Sequence, residues 1–219
     1  MVFWIIGGGK FGSRAAHYLS GKHKDARILL IDSNPDTLEG WKEPVDTVQA
    51  DGITYLKHHL DDGNNMTMPD WIVPAIPIHV AFEWIRCTLK TNLHVTPISV
   101  PENLASFVPN PVWGKEGELY MSYAKFTCPE DCIEPQDLCT VSGKPRKTDL
   151  YHVLEKVKIA DFRSVVIRSH QLAPGVGGYP AQALLNARNE IGLSEGKVFV
   201  STACCCHGVV HALYVKKKH

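Results

Sequence analysis

The sequence predicts an α/β protein: a Rossmann-like parallel sheet followed by a second, smaller α/β or α+β region with a cysteine-rich loop. Three observations lead there. The apolar run Val2-Phe3-Trp4-Ile5-Ile6 flows straight into Gly7-Gly8-Gly9-Lys10-Phe11-Gly12, a G-x-G-x-x-G pattern set between a strand signal and a helix signal. Strand and helix patterns alternate through the first half, as parallel βαβ units require. Thiols then crowd the second half, at Cys128, Cys132 and Cys139 and again at Cys204, Cys205 and Cys206.

Taken in order, the first sheet is expected to use Val2–Ile6, Arg27–Ile31, Val45–Gln49, Trp71–Val73 and His94–Ile98. Helices are expected over Phe11–Leu19, Ile53–His59 and Ile78–Leu89. The last carries Ile78, Phe82, Ile85 and Leu89 at helical spacing, a core stripe. Prolines 97, 101, 109 and 111 then interrupt the pattern, which places a boundary near residue 110. Residues 1–110 form the expected dinucleotide-binding domain and 111–219 a cysteine-containing substrate or metal domain. The second half reads as strand Leu119–Phe126, the cysteine loop, helix Asp149–Val157, strand Ser164–Arg168, a Gly/Pro loop, helix Ala181–Ile191 and a final strand near Lys197–Thr202.

Each glycine of the motif has an expected role. Gly7 permits the tight turn, Gly9 leaves room for a pyrophosphate, and Gly12 lets the helix pack closely on the strand. The N–H groups of the helix that opens at Lys10 and Phe11 point toward that phosphate. Asp32 ends the second strand, twenty positions after Gly12. A carboxylate there accepts ribose hydroxyls and repels a 2′-phosphate, so NAD is favoured over NADP. Ser33-Asn34, Lys10 and Arg14 work against that preference.

Ile5-Ile6-Gly7-Gly8-Gly9-Lys10-Phe11-Gly12, Leu29-Leu30-Ile31-Asp32-Ser33-Asn34-Pro35 and Gln49-Ala50-Asp51-Gly52 together resemble the nucleotide-binding domain of TrkA-type potassium-uptake regulators (RCK/KTN-like). The likeness covers about the first sixty residues. It implies ligand contacts at Gly7, Gly9, Gly12 and Asp32, and at Asp51 near the adenine. Pro74-Ala75-Ile76-Pro77 departs from the pattern, so nucleotide binding is the expectation and potassium regulation is not.

Twenty-three basic and twenty-three acidic side chains cancel, which argues against nucleic acid or an anionic membrane as a partner. The longest apolar window, Ile72–Phe82, contains two prolines and is too short to span a bilayer. With a strand starting at residue 2, no leader is expected, and the reading is cytoplasmic. Thiols in that compartment stay reduced, which points to metal, thiol chemistry or packing. The terminal Lys216-Lys217-Lys218-His219 reads as a solvated tail. Apolar side chains at Trp113 and Tyr120 offer surface for a homodimer.

The loop Cys128-Pro129-Glu130-Asp131-Cys132, followed by Pro135 and Cys139, suits a fold around a metal. One ligand from the run Cys204-Cys205-Cys206-His207 would complete a set of four. Zinc and an iron–sulfur cluster both accept four thiolates. The spacing matches neither a zinc ribbon nor a ferredoxin run, so reduced structural cysteines and a redox thiol pair stay open, and Cys87 is assigned to core. If the Cys204 run is extended, Cys204 and Cys206 face one way and Cys205 and His207 the other. Gly143, Lys144, Pro145, Arg146 and Lys147 offer charge to offset thiolates or to hold an acidic substrate. His170, at the start of Ser169–Pro180, and His79 are the candidate general acids or bases. The expected function is that of an NAD-binding oxidoreductase for a small substrate, with the cysteine site beside the cofactor; the alternative is a nucleotide or redox sensor.

Overall fold

The computed structural model describes residues 1–60, 68–146 and 148–218; Lys147 and His219 lie outside the described residues. The fold is mixed α/β, and the described residues form two six-stranded sheets flanked by helices. It divides into two compact units, Met1–Trp84 with His170–Leu185 and Ile85–Ser169 with Asn186–His219. The chain passes between them inside helices α3 (Val80–Leu89) and α5 (Ala181–Leu193) and at Ser169–His170, whereas the sequence placed a boundary near residue 110.

In the first unit, strands β1 (Val2–Ile6), β2 (Arg27–Asp32), β3 (Val45–Gln49) and β4 (Trp71–Pro74) lie parallel in the order β3-β2-β1-β4. Helix α1 (Lys10–Lys22) supplies Ala15, Ala16 and Leu19 to a core with Phe3 and Ile5. On the opposite face Trp4 meets Tyr55 of α2 (Gly52–His59) edge-on, ring centroids 5.3 Å apart. Burial on both faces is why β1 reads as an unbroken apolar run. The sheet does not continue with His94–Ile98. Strand β10 (Val176–Pro180) pairs antiparallel with β4, placing Tyr179 opposite Ile72, and β9 (His170–Ala173) pairs with β10. The stretch expected to be a Gly/Pro loop is thus a hairpin, turned at Gly175 with φ +67°.

The second unit gathers β5 (Leu93–Ile98), β6 (Val112–Trp113), β7 (Leu119–Ser122), β8 (Phe162–Arg168), β11 (Gly196–Ala203) and β12 (His207–Lys217). Strand β12 was not expected from the sequence and organises the sheet. Along one edge it pairs with β11; along the other it takes β7 over His207–Val210 and β5 over Ala212–Lys217. Lys216 and Lys217 are therefore strand residues opposite His94 and Leu93. Lys218 is tied down too, its Nζ donating to the carbonyls of Lys90 and Thr91. A core of Leu104, Leu119, Leu150, Leu154, Phe199 and Val210 forms beneath α4 (Leu150–Glu155), with Phe162 stacked on Phe199 at 4.3 Å.

Of the predicted stripe on α3, Phe82 and Ile85 are buried and Leu89 is half-buried. Ile78 precedes the helix and is 46% exposed, while Trp84 is fully buried. Cys87, assigned to core, is half-buried. Among the described residues no helix is long and apolar enough to cross a membrane. Trp113 and Tyr120 are exposed on neighbouring strands.

Candidate functional site

The glycine loop is built from β1, α1 and the end of β2. Gly7 adopts φ +109°, a region that disfavours any side chain, and its N–H donates to the Ile31 carbonyl at 2.7 Å. A Cβ on Gly12 would collide with the Gly7 carbonyl oxygen, so the helix sits directly on the turn. The Asp32 carboxylate accepts from the N–H of Gly8 at 2.5 Å and of Asn34 at 2.8 Å. These bonds fasten the loop to the end of β2 and leave lone pairs for a ligand. Gly9 is the N-cap of α1, with no side-chain cap and no atom within 4 Å of where a Cβ would stand. The first turn of the helix thus opens onto a cavity of about 510 Å³ lined by Gly8, Gly9, Lys10, His17, Thr37 and Trp41 among others.

Several of the expected contact residues have roles in the fold. Asp51 caps α2, its carboxylate accepting the Thr54 N–H at 2.8 Å. At the next position, a Cβ on Gly52 would strike Ile6. Capping and close packing account for Asp51-Gly52 without a nucleotide. Phe11 is exposed, with Arg14 over its ring at 6.0 Å, and does not line the cavity. Neither do His79 and His170. His79 is buried in the turn before α3, stacked on Phe82. His170 begins β9 and meets Trp71 edge-on at 5.4 Å. The imidazole at the cavity is His17, tilted against Trp41 at 4.7 Å; no periodicity marks the Thr37–Trp41 segment as a wall.

In the second unit, four thiols from three chain segments meet around one cavity of about 340 Å³: Cys128 and Cys132, Cys139, and Cys206. His207, Tyr123 and Arg146 share its wall. Among the described residues no disulfide joins any of the cysteines. The alternating-face expectation for the Cys204 run fails, because the Cys204 N–H donates to the His207 carbonyl and closes a turn between β11 and β12. Cys206 and His207 consequently face the same cavity. Cys204 and Cys205, expected among the ligands, do not line it. The sulfur of Cys204 accepts the N–H groups of Cys206 and His207 at 3.4 and 3.3 Å, and Cys205 is buried.

The electrostatics distinguish these thiols. Hydrogen bonding with its two neighbours raises the pKa of Cys205 and lowers those of Cys204 and Cys206. The Arg146 guanidinium, 3.5 Å from the Cys206 sulfur, also favours the Cys206 thiolate. Arg146 is fixed by the carbonyls of Pro135 and Gln136, both at 2.9 Å, and by Asp149 at 3.2 Å. It was anticipated only as one of several loop cations. Hydrogen bonds from Ser142 and the N–H of Val141 lower Cys139. Burial, then the thiols of Cys132, Cys139 and Cys206, raise Cys128. The His207 imidazole lies 3.5 Å from the Cys128 sulfur and 3.9 Å from that of Cys204, and Cys204 raises its pKa. Among the described residues, no three His, Cys, Asp or Glu side chains are grouped to hold one metal ion.

Residues 81–216 match a family described as "Uncharacterized protein, C-terminal domain". Over 221 residues, 95% of this chain and 97% of the relative, the sequence is 33% identical to an "Uncharacterized protein" of Archaeoglobus fulgidus. No solved structure matches the chain.

Proposed function

The chain belongs to the family of that C-terminal domain, related to the archaeal protein along both units, and from this footing we propose that it is an NAD-binding oxidoreductase whose cysteine cavity carries a metal or cluster. The observation that carries the nucleotide half is the open N-terminus of α1 beside Gly9, backed by Asp32 at the end of β2. Helix N–H groups and the positive end of the dipole suit a pyrophosphate. The resemblance of the first sixty residues to TrkA-type domains supports the same ligand. Asp32 favours NAD over NADP. In this reading bound NADH would supply a hydride to the carbonyl carbon of a small substrate, the carbonyl oxygen would take a proton, and NAD⁺ would be released. The protein acts in the cytoplasm, without nucleic acid or membrane as partner; a homodimer would use Trp113 and Tyr120.

One observation favours the second reading, a nucleotide or redox sensor: neither His79 nor His170 lines the glycine-loop cavity, so the expected proton donors stand outside it. Calorimetric titration with NADH and NADPH tests the binding common to both readings. If neither binds to folded protein, both fall. Incubating the protein with NADH and a panel of small carbonyl compounds separates them: oxidation of NADH supports the enzyme, and recovery of the nucleotide unchanged supports the sensor.

A further inference from the structure

We propose that Cys128, Cys132, Cys139 and Cys206 are the four ligands of an iron–sulfur cluster seated in the cavity of the second unit. This deepens the metal half of the reading above and is independent of nucleotide binding.

The first argument is placement. Cysteines that serve only as small hydrophobes are buried among apolar side chains. Here Cys205 fits that description at 4% exposure, whereas the four proposed ligands are only partly buried and line a single cavity. They arrive from a proline-containing loop, from the nearby turn at Cys139 and, from far along the chain, from the β11–β12 turn.

The second argument concerns what fills the cavity. A single zinc ion needs its ligands converging on one point, and among the described residues no three His, Cys, Asp or Glu side chains are grouped to hold one ion. In a cluster each thiolate binds a single iron, and because the irons are several the thiolates surround a volume. Four sulfurs around about 340 Å³ fit the second arrangement.

The third is charge and hydrogen bonding. Thiolates ligating a cluster leave it anionic, and hydrogen bonds to sulfur stabilise it. Arg146 reaches the Cys206 sulfur at 3.5 Å with a side chain only 9% exposed, and the Ser142 N–H reaches the Cys139 sulfur at 3.5 Å. The Arg146 guanidinium is anchored by two loop carbonyls and Asp149, so it is positioned before any ligand arrives.

The test uses the full chain, made anaerobically and incubated with ferrous iron, sulfide and a thiol reductant, then desalted. The expected product holds iron and acid-labile sulfide in equal amounts and has a broad visible absorption that bleaches on reduction. C128S, C132S, C139S and C206S should each lower retained iron at least about fivefold, while C87S and C205S retain it. Because a serine variant can fail to fold, the wild-type chain is also alkylated natively before and after loading. The four thiols should label in the unloaded protein and be protected in the loaded one. About one zinc per chain without sulfide, no retained iron in folded protein, equal labelling in both states, or equal loss in C205S would each overturn the assignment. NADH titration of the same samples reports separately on the nucleotide reading.

Discussion

Replacing Gly9 with aspartate should abolish most nucleotide affinity while leaving the fold slightly more stable, an uncommon pairing that follows from the geometry of one residue. Gly9 has φ −64° and ψ −166°, ordinary for any L residue, and its missing Cβ faces open space. As N-cap of α1 it provides no side-chain acceptor. An aspartate there would accept the N–H of the second or third helical residue and add a few tenths of a kcal/mol. The same carboxylate would occupy the position assigned to the pyrophosphate. Two unit charges about 5 Å apart repel by roughly 3 kcal/mol at an effective dielectric of about 20, and the open cavity reduces this to about 2–3 kcal/mol for the whole pyrophosphate. That corresponds to NADH binding roughly 30- to 150-fold weaker. The assay is calorimetric titration of NADH beside a thermal melt, with Gly9→Asn as the uncharged cap. Asparagine should weaken binding far less, and added salt should narrow the gap. Gly12→Ala gives the opposite pattern, because the Gly7 carbonyl blocks its Cβ and the fold itself suffers. If Gly9→Asp bound NADH with unchanged Kd while melting higher, the pyrophosphate would not lie at this helix terminus and the nucleotide reading would fail.

Asp32→Asn removes the charge that disfavours a 2′-phosphate, so the NADPH-to-NADH affinity ratio should rise about tenfold; an unchanged ratio would remove Asp32 from cofactor choice. For Glu118, burial pushes its carboxyl upward, but the N–H groups of Glu118 and Glu116 and nearby His211 outweigh it and hold the carboxyl below its usual 4.5. A depressed folded value contributes stability that is present above about 4.5 and is lost as pH falls through the folded value. Melts between about pH 6 and about pH 3 should therefore decline less steeply in Glu118→Gln, and parallel slopes would contradict the assignment. Arg163 donates to the carbonyls of Glu190, Ile191 and Ser194, closing the end of α5. Arg163→Ala should cost about 2 kcal/mol in denaturant unfolding, and a change under about 0.5 kcal/mol would show the cap to be dispensable. Ser201 is fully buried and its hydroxyl has no hydrogen-bond partner among the described residues, so Ser201→Ala should stabilise by about 1 kcal/mol; a loss of stability would reveal a partner for that hydroxyl.

Much of the first unit was legible in the residue order. An apolar run, a glycine motif and a helix signal are local, and β1, the loop and α1 follow with little freedom. The Asp32 position was equally readable, since a strand ending beside a glycine turn places its last side chain at the loop. The capping role of Asp51 was not legible for a related reason: a helix cap and a ligand contact leave the same mark, an acidic residue before a glycine. The thiol-rich half was legible as a set of soft ligands, but not which thiols meet. Local pattern cannot report that Cys204 and His207 close a turn, and this turn brings Cys206 and His207 to one cavity.

By itself the sequence determined the α/β class, most strands and helices, and the residue types available to each candidate site. Tertiary structure alone decided that β5 leaves the first sheet for β12, that β9 and β10 take the place beside β4, and that four of the six expected thiols share a cavity. The physical reason is the range of the forces involved. Hydrophobic period and turn chemistry act over a few residues, whereas strand partners are chosen by hydrogen bonds and burial between segments as distant as Leu93 and Lys217, which no local window contains.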